Sequence, residues 1–238
     1  MDIKTMFPSL SLMWVRWSEY EIVRRMDNGV ENEYIVPVPG AEEIVFNCAE
    51  HPEPMVTDAI LIGQQIHENA IPVKLIDLLC TNFASHYGLF GQALGMDLSA
   101  PVYSSAPLYY APNSEKYGEE LFYFKDRLHR IYRHYMTTQG EWNRGQKSDF
   151  GIYGTLSYRL TPGRTPQIVW GVETMEEVMW LTYASLITGE RPGLKVCKNC
   201  GRVYYSSHAK SEFCGAKCRN RYNVKMFRSR EKQKSAGE

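Results

Sequence analysis

The chain of 238 residues lacks several features that would assign it to a membrane or to the secretory pathway. It has no apolar run of about eighteen residues, the minimum for a membrane-spanning helix. Its first residues, MDIKTMFPSLSLMWVRW, have no basic head followed by an apolar stretch and a cleavage site. The sequence therefore predicts no membrane span and favours the cytoplasm, where cysteines stay reduced.

The sequence also lacks the short motifs that mark common catalytic sites. It contains no glycine-rich phosphate loop, no HExxH, no GxSxG and no paired motif suited to acid–base chemistry. The aromatic residues of the body are more typical of core packing than of a pocket. We therefore expect a binding protein and not an enzyme.

The formal net charge of zero hides a strong asymmetry along the chain. Residues 191–238 contain thirteen Lys and Arg against three Asp and Glu, a balance of +10, and residues 1–190 have a balance of −10. This predicts an acidic domain over 1–190 and a basic module over 191–238. The basic module suits a polyanionic partner, or it rests on the acidic body, and composition does not separate these alternatives.

Apolar periodicity predicts a mainly α fold with a small β-hairpin component, in the α+β class. The helices are expected at residues 56–69, 73–87, 114–138 and 174–188. The last begins with a capping box, Thr174 followed three residues later by Glu177. His129 and His134 are five residues apart on the third helix and do not share a face, so neither is predicted as a metal ligand.

The β-strand signals are fewer. A hairpin is expected from residues 155–160 and 167–173, with turn chemistry between them. Residues 33–38 are predicted as an edge strand because Pro37 donates no hydrogen bond. Residues 10–25 are predicted as a strand followed by a helix.

Four of the six cysteines form two close pairs near the C-terminus. They are Cys197, Cys200, Cys214 and Cys218, in the pattern CxxC and then CxxxC. Paired thiolates in a reduced compartment predict a structural zinc site, in which a knuckle, a hairpin and helix-borne ligands form a treble clef. His208 is an alternative fourth ligand. The isolated Cys48 and Cys80 are predicted to be buried core thiols.

A basic helix follows the second cysteine pair. At about 100° per residue, five of its cations fall on one stripe, while Tyr222 and Met226 lie on another side and are expected to pack on the zinc module. The candidate nucleic-acid-binding residues are Lys217, Arg219, Arg221, Lys225, Arg228, Arg230 and Lys232. The guanidinium group of arginine can donate two parallel hydrogen bonds to phosphate oxygens or to a guanine edge. A run of charged residues of this kind is also typical of a solvent-exposed helix face.

The segment FCGAKCRNRYNVKMFRSR, residues 213–230, resembles the CGNR-type zinc finger of bacterial proteins. In that family the last zinc cysteine runs directly into Gly-Asn-Arg and a basic helix. Here Arg219 stands at the position of the glycine. The segment HYGLFG, residues 86–91, is similar to a tyrosine–glycine element in the helix-rich N-terminal domain of those proteins, which is called ABATE.

The resemblance implies a bacterial transcriptional regulator whose finger binds DNA. The acidic domain would then bind a small-molecule effector or form a homodimer. The alternative is a protein-interaction scaffold in which zinc serves only stability. A steep fall of DNA affinity with salt would distinguish the regulator from the scaffold.

Overall fold

The structure is a computed structural model. It describes residues 13–27, 29–48, 50, 52–91, 118–138, 157–161, 167–171, 174–188, 193–208 and 210–235. These ranges contain five helices and nine short strands in four antiparallel sheets, which confirms an α+β fold with more sheet than predicted. No helix within them is long and apolar enough to cross a membrane.

The first four strands form antiparallel pairs. They are β1 (Met13–Trp17), β2 (Tyr20–Asp27), β3 (Val30–Pro37) and β4 (Glu43–Asn47), with β1 paired to β4 and β2 to β3. The helix predicted within residues 10–25 is therefore wrong. Two residues separate β2 from β3, and Gly29, the second of them, has a φ of 82°, which a tight hairpin turn requires and glycine tolerates.

A short strand, β5 (Glu119–Glu120), pairs with the other side of β3 at Tyr34 and Ile35. β3 is therefore a central strand, and the prediction of an edge strand is wrong. Pro37 is tolerated because it lies at the end of β3, beyond the two residues that pair with β5.

The first three helices are α1 (Glu53–Glu68), α2 (Val73–Tyr87) and α3 (Leu121–Met136). The prediction for α2 has the observed bounds, and Gly88, with a φ of 85°, follows its last residue. α3 was predicted to begin at residue 114, which is wrong because the two residues before Leu121 are extended in β5. Residues 114–117 lie outside the described part of the chain.

Close packing of α1 on α3 forms the centre of the larger unit. A Cβ added to Gly63 would lie 2.1 Å from the Leu128 carbonyl oxygen, so the two backbones nearly touch. α3 has an apolar stripe of residues three and four apart that is buried, at Leu121, Phe124, Leu128, Ile131 and Tyr135. Aromatic rings from neighbouring elements meet this stripe, and Phe90 lies 4.7 Å from Phe124 between ring centroids.

The predicted hairpin is confirmed as β6 (Ser157–Thr161) paired with β7 (Gln167–Gly171). α4 (Met175–Thr188) follows, and its capping box is confirmed. The Glu177 backbone N–H donates to Thr174 Oγ1 at 3.2 Å, and the Thr174 N–H donates to Glu177 Oε2 at 3.3 Å.

The chain divides into two compact units, residues 2–184 and 185–238, at a point inside α4. The second unit contains β8 (Leu194–Val196), β9 (Val203–Tyr205) and α5 (Ala216–Ser235). β8 and β9 form an antiparallel hairpin in which Lys195 faces Tyr204. The two cysteine pairs lie in the turn of this hairpin and at the start of α5.

Candidate metal centre and basic helix

The turn between β8 and β9 holds the first cysteine pair. The Cys197 N–H donates to the Arg202 carbonyl oxygen at 2.9 Å, and the Gly201 N–H donates back to the Cys197 carbonyl oxygen at 2.9 Å. Gly201 has a φ of 71°, in the left-handed region that glycine enters without strain. This tight turn brings Cys200 back beside Cys197.

The second pair is held at the start of α5. Cys214 lies just before the helix and Cys218 in its first turn, where the Arg219 N–H donates to the Gly215 carbonyl oxygen at 3.1 Å. The Lys198 N–H donates to the Glu212 carbonyl oxygen at 3.0 Å and ties the two cysteine-bearing segments together.

The four sulfur atoms of Cys197, Cys200, Cys214 and Cys218 all lie within 4.8 Å of one another. Cys200 Sγ is 3.8 Å from Cys214 Sγ, and Cys214 Sγ is 3.5 Å from Cys218 Sγ. Zinc–sulfur bonds of about 2.3 Å would place the sulfurs of a tetrahedral site about 3.8 Å apart. The donor set and its spacing therefore fit one four-coordinate thiolate metal ion, and the cysteines are free of disulfides.

The surroundings of the cluster shift the pKa values of two of its thiols in opposite directions. Burial raises the pKa of Cys197, but the backbone N–H groups of Cys214, Cys200 and Asn199 donate to its sulfur and outweigh burial, so the pKa falls to about 6. Burial and the neighbouring thiols raise the pKa of Cys214 to about 12. Backbone N–H donors thus favour a thiolate at Cys197, the ionisation state that binds metal.

The remaining cysteine and histidine candidates lie elsewhere. Among the described residues, His208 is not part of the sulfur cluster. Cys48 and Cys80 are buried, as predicted, and burial raises the pKa of each thiol to about 12. Both are therefore core thiols of low reactivity.

The basic residues predicted to bind nucleic acid lie along α5. Five of them have exposed side chains: Lys217, Arg219, Arg221, Lys225 and Arg228. No ion pair between described residues involves any of these five. Arg230 and Lys232 also belong to α5, but their side chains lie outside the described part of the chain.

Among the side chains described on α5, those of one side pack on its own unit. Cys218 and Tyr222, one turn apart, are half-buried, and the Tyr222 ring lies 5.2 Å from the Phe213 ring between centroids. Met226, which was expected to extend this packing, is exposed, as are the other side chains described beyond Tyr222, from Asn223 to Ser229. Between Ala216 and Ser229, the remaining side chains of α5 are exposed.

A buried ionic network in the larger unit was missed by the sequence reasoning. Arg127 on α3 donates from Nη1 to Glu119 Oε1 and, at 2.8 Å, from Nε to Glu176 Oε2. The Phe90 backbone N–H donates to Glu119 Oε2 at 2.8 Å. The one available signal was the position of Arg127, three residues after Phe124 and therefore on the apolar side of α3.

Comparisons of the chain with protein-family models, with curated proteins and with solved structures found no match. Function is therefore inferred from the sulfur cluster, from α5 and from the resemblance of residues 213–230.

Proposed function

We propose that this protein is a DNA-binding transcriptional regulator whose C-terminal unit holds a structural zinc ion and presents α5 to DNA. The observation that carries the proposal is that five exposed Lys and Arg side chains of α5, from Lys217 beside the last two cysteines to Arg228, form no ion pair with another described residue. Such side chains donate to phosphate oxygens, and binding through them does not first require an internal ion pair to break.

In this proposal zinc has a structural role. Four thiolates fill a tetrahedral shell and leave no position for a reacting water molecule, as in structural and unlike catalytic zinc sites. The metal would cross-link the β8–β9 turn to the first turn of α5 in a treble-clef arrangement. A unit with so small a core gains most of its stability from such a cross-link.

The anchoring of α5 sets the surface that faces DNA. Cys218 and Tyr222 hold the helix to its unit, so the cations at positions 217, 221 and 228 project to other sides. Asn220 is also exposed and carries an amide suited to base edges. The helix thereby combines phosphate-binding and base-reading groups.

The unit of residues 2–184 would provide dimerisation and effector binding. A single small finger offers limited reading surface, so a homodimer formed through this unit would improve specificity. The same unit would bind a small-molecule effector in the cytoplasm, and the protein would act by binding and not by catalysis.

The test is DNA affinity measured by fluorescence anisotropy for the full-length, zinc-loaded protein over a range of salt concentrations. The logarithm of the affinity should fall linearly with the logarithm of salt concentration. The double variant Arg221→Ala/Arg228→Ala should bind more weakly, and its salt slope should be shallower by about 2. The charge-matched control Arg24→Ala/Lys74→Ala, at two exposed positions of the larger unit, should behave like wild type.

A protein-interaction scaffold is the second candidate. Val224 and Phe227 are 49% and 64% exposed on α5, and apolar side chains in the middle of a basic helix also suit a protein partner. Failure of the zinc-loaded protein to bind DNA even at low salt would exclude the regulator and favour the scaffold.

A further inference from the structure

The close approach of α1 and α3 at Gly63 positions the side chain that lies one helical turn further along α1. A Cβ at Gly63 would lie 2.7 Å from Tyr132 Cβ, so side chains on the next turn of α1 directly face α3. His67 occupies that next turn, and its ring lies 5.4 Å from the buried Tyr132 ring between centroids. The helix crossing thus fixes His67 against the side of α3 that carries His129.

His67 and His129 face each other across this crossing. His67 Nδ1 lies 3.1 Å from His129 Nε2, and the ring centroids are 5.3 Å apart. The spacing of His129 and His134 places them on different faces of α3, so the sequence predicted neither as a metal ligand. The neighbour of His129 comes instead from another helix, 62 residues away in sequence.

We infer that His67 and His129 form a binding site for a divalent transition-metal ion, with His67 Nδ1 and His129 Nε2 as its ligands. Bonds of about 2.0–2.1 Å place two such nitrogens about 2.9 Å apart around an octahedral ion and about 3.3 Å apart around a tetrahedral one. The observed separation lies between these values. Imidazole is a ligand suited to zinc, nickel and copper.

The rings need little movement to bind a metal. Two imidazoles around one tetrahedral ion have ring centroids about 5.3 Å apart, the separation already present here. Without metal, one ring donates its N–H to the other ring. When a metal binds, that proton moves through solvent to the other nitrogen of the same ring, so that both facing nitrogens present lone pairs to the ion. Because α1 and α3 are in backbone contact, the protein holds the two ligands together before the ion arrives.

The surroundings leave room for an ion with further ligands. His67 is exposed and His129 half-buried, so water can complete the coordination shell. Asp126, exposed on the turn of α3 before His129, contributes a negative charge, and Arg133 on the turn after it opposes the ion. The site is separate from the four cysteines and does not depend on the DNA-binding proposal.

The test uses the full-length, tag-free protein, with the cysteine site first loaded with one equivalent of zinc. Ni²⁺ is titrated in by calorimetry, and the histidine signals are followed by NMR, in which the paramagnetic ion broadens nearby resonances. We expect one Ni²⁺ per chain, with His67 and His129 broadened first. The variants His67→Ala and His129→Ala should each lose this binding.

Two controls keep the result interpretable. His86→Ala removes an exposed histidine of α2 and should leave Ni²⁺ binding unchanged. His67→Gln and His129→Gln keep side-chain size if either alanine variant unfolds, and zinc analysis after the titration shows whether Ni²⁺ entered the cysteine site. The inference is overturned if wild type binds no Ni²⁺ outside the cysteine site, as for a histidine pair that only shares a hydrogen bond. Binding that persists in the histidine variants would also overturn it.

Discussion

Arg127 is the cation at the centre of the buried network, and its removal gives the sharpest stability test. Its side chain is 8% exposed, and it pairs with Glu119, which is 1% exposed, and with Glu176. Without Arg127, Glu119 keeps only the Phe90 N–H, and Glu176 keeps the Trp180 Nε1–H at 3.2 Å. Glu119 would then lose its cation, and the cation still near Glu176 would be Arg130, whose Nη1 is 4.0 Å from Glu176 Oε1.

We expect Arg127→Met to lower the free energy of unfolding by about 4 kcal/mol at pH 7.5. Breaking a buried ion pair from one side costs about 3–5 kcal/mol because a buried charge is left uncompensated. At pH 5 Glu119 is neutral in both proteins, because burial raises its pKa to about 7 and removal of a nearby cation raises it further. The loss at pH 5 should therefore be smaller than at pH 7.5 by up to about 1 kcal/mol.

The assay is urea unfolding followed by tryptophan fluorescence, with midpoints compared at equal slope. Arg130→Met is the matched control on the same helix, because Arg130 Nη1 is 4.0 Å from Glu176 Oε1 and its side chain is 47% exposed. The control should cost less than about 1 kcal/mol. Equal losses in the two variants, or no loss in Arg127→Met at pH 7.5, would refute a stabilising network.

Two further predictions concern the larger unit. Burial raises the pKa of Glu119 from 4.5 to about 7, although Arg127 and the Phe90 N–H act in the opposite direction. The protonated Glu119 therefore contributes fully to stability below pH 4.5, and this contribution is lost as pH rises through 7. The change in the free energy of unfolding is about 3 kcal/mol. Thermal unfolding at pH 5 and pH 8 should show this difference, and Glu119→Gln should reduce it. Gly63→Ala should lower the unfolding free energy by about 3 kcal/mol through overpacking of α1 on α3, whereas Gly215→Ala, which meets no atom within 4 Å, should be nearly neutral in the same measurement.

Local signals in the sequence predicted local structure well. The capping box at Thr174 and Glu177 and the bounds of α2 follow from residues that are neighbours along the chain. The cysteine spacing likewise predicted a cluster, because a tight turn at Gly201 and one helical turn at Cys218 place each pair of sulfurs independently of the rest of the fold.

Structure that depends on contacts between distant segments could not be predicted from such local signals. β2 has a composition that also suits a helix, and pairing with β3 decides its conformation, although Asn28-Gly29 was an available hairpin signal. β5 is extended only because it pairs with β3, some eighty-five residues earlier in the chain. The juxtaposition of His67 and His129 depends on the helix crossing at Gly63, which no spacing along the sequence reveals.

The measurement that tests the central proposal most directly is DNA binding by the zinc-loaded and the metal-stripped protein at the same salt concentration. If four thiolates and one zinc ion organise the unit that presents α5, the loaded protein should bind DNA and the stripped protein should lose that binding. Restoring one equivalent of zinc should restore it. Equal binding with and without zinc, or no binding by the loaded protein, would contradict the account.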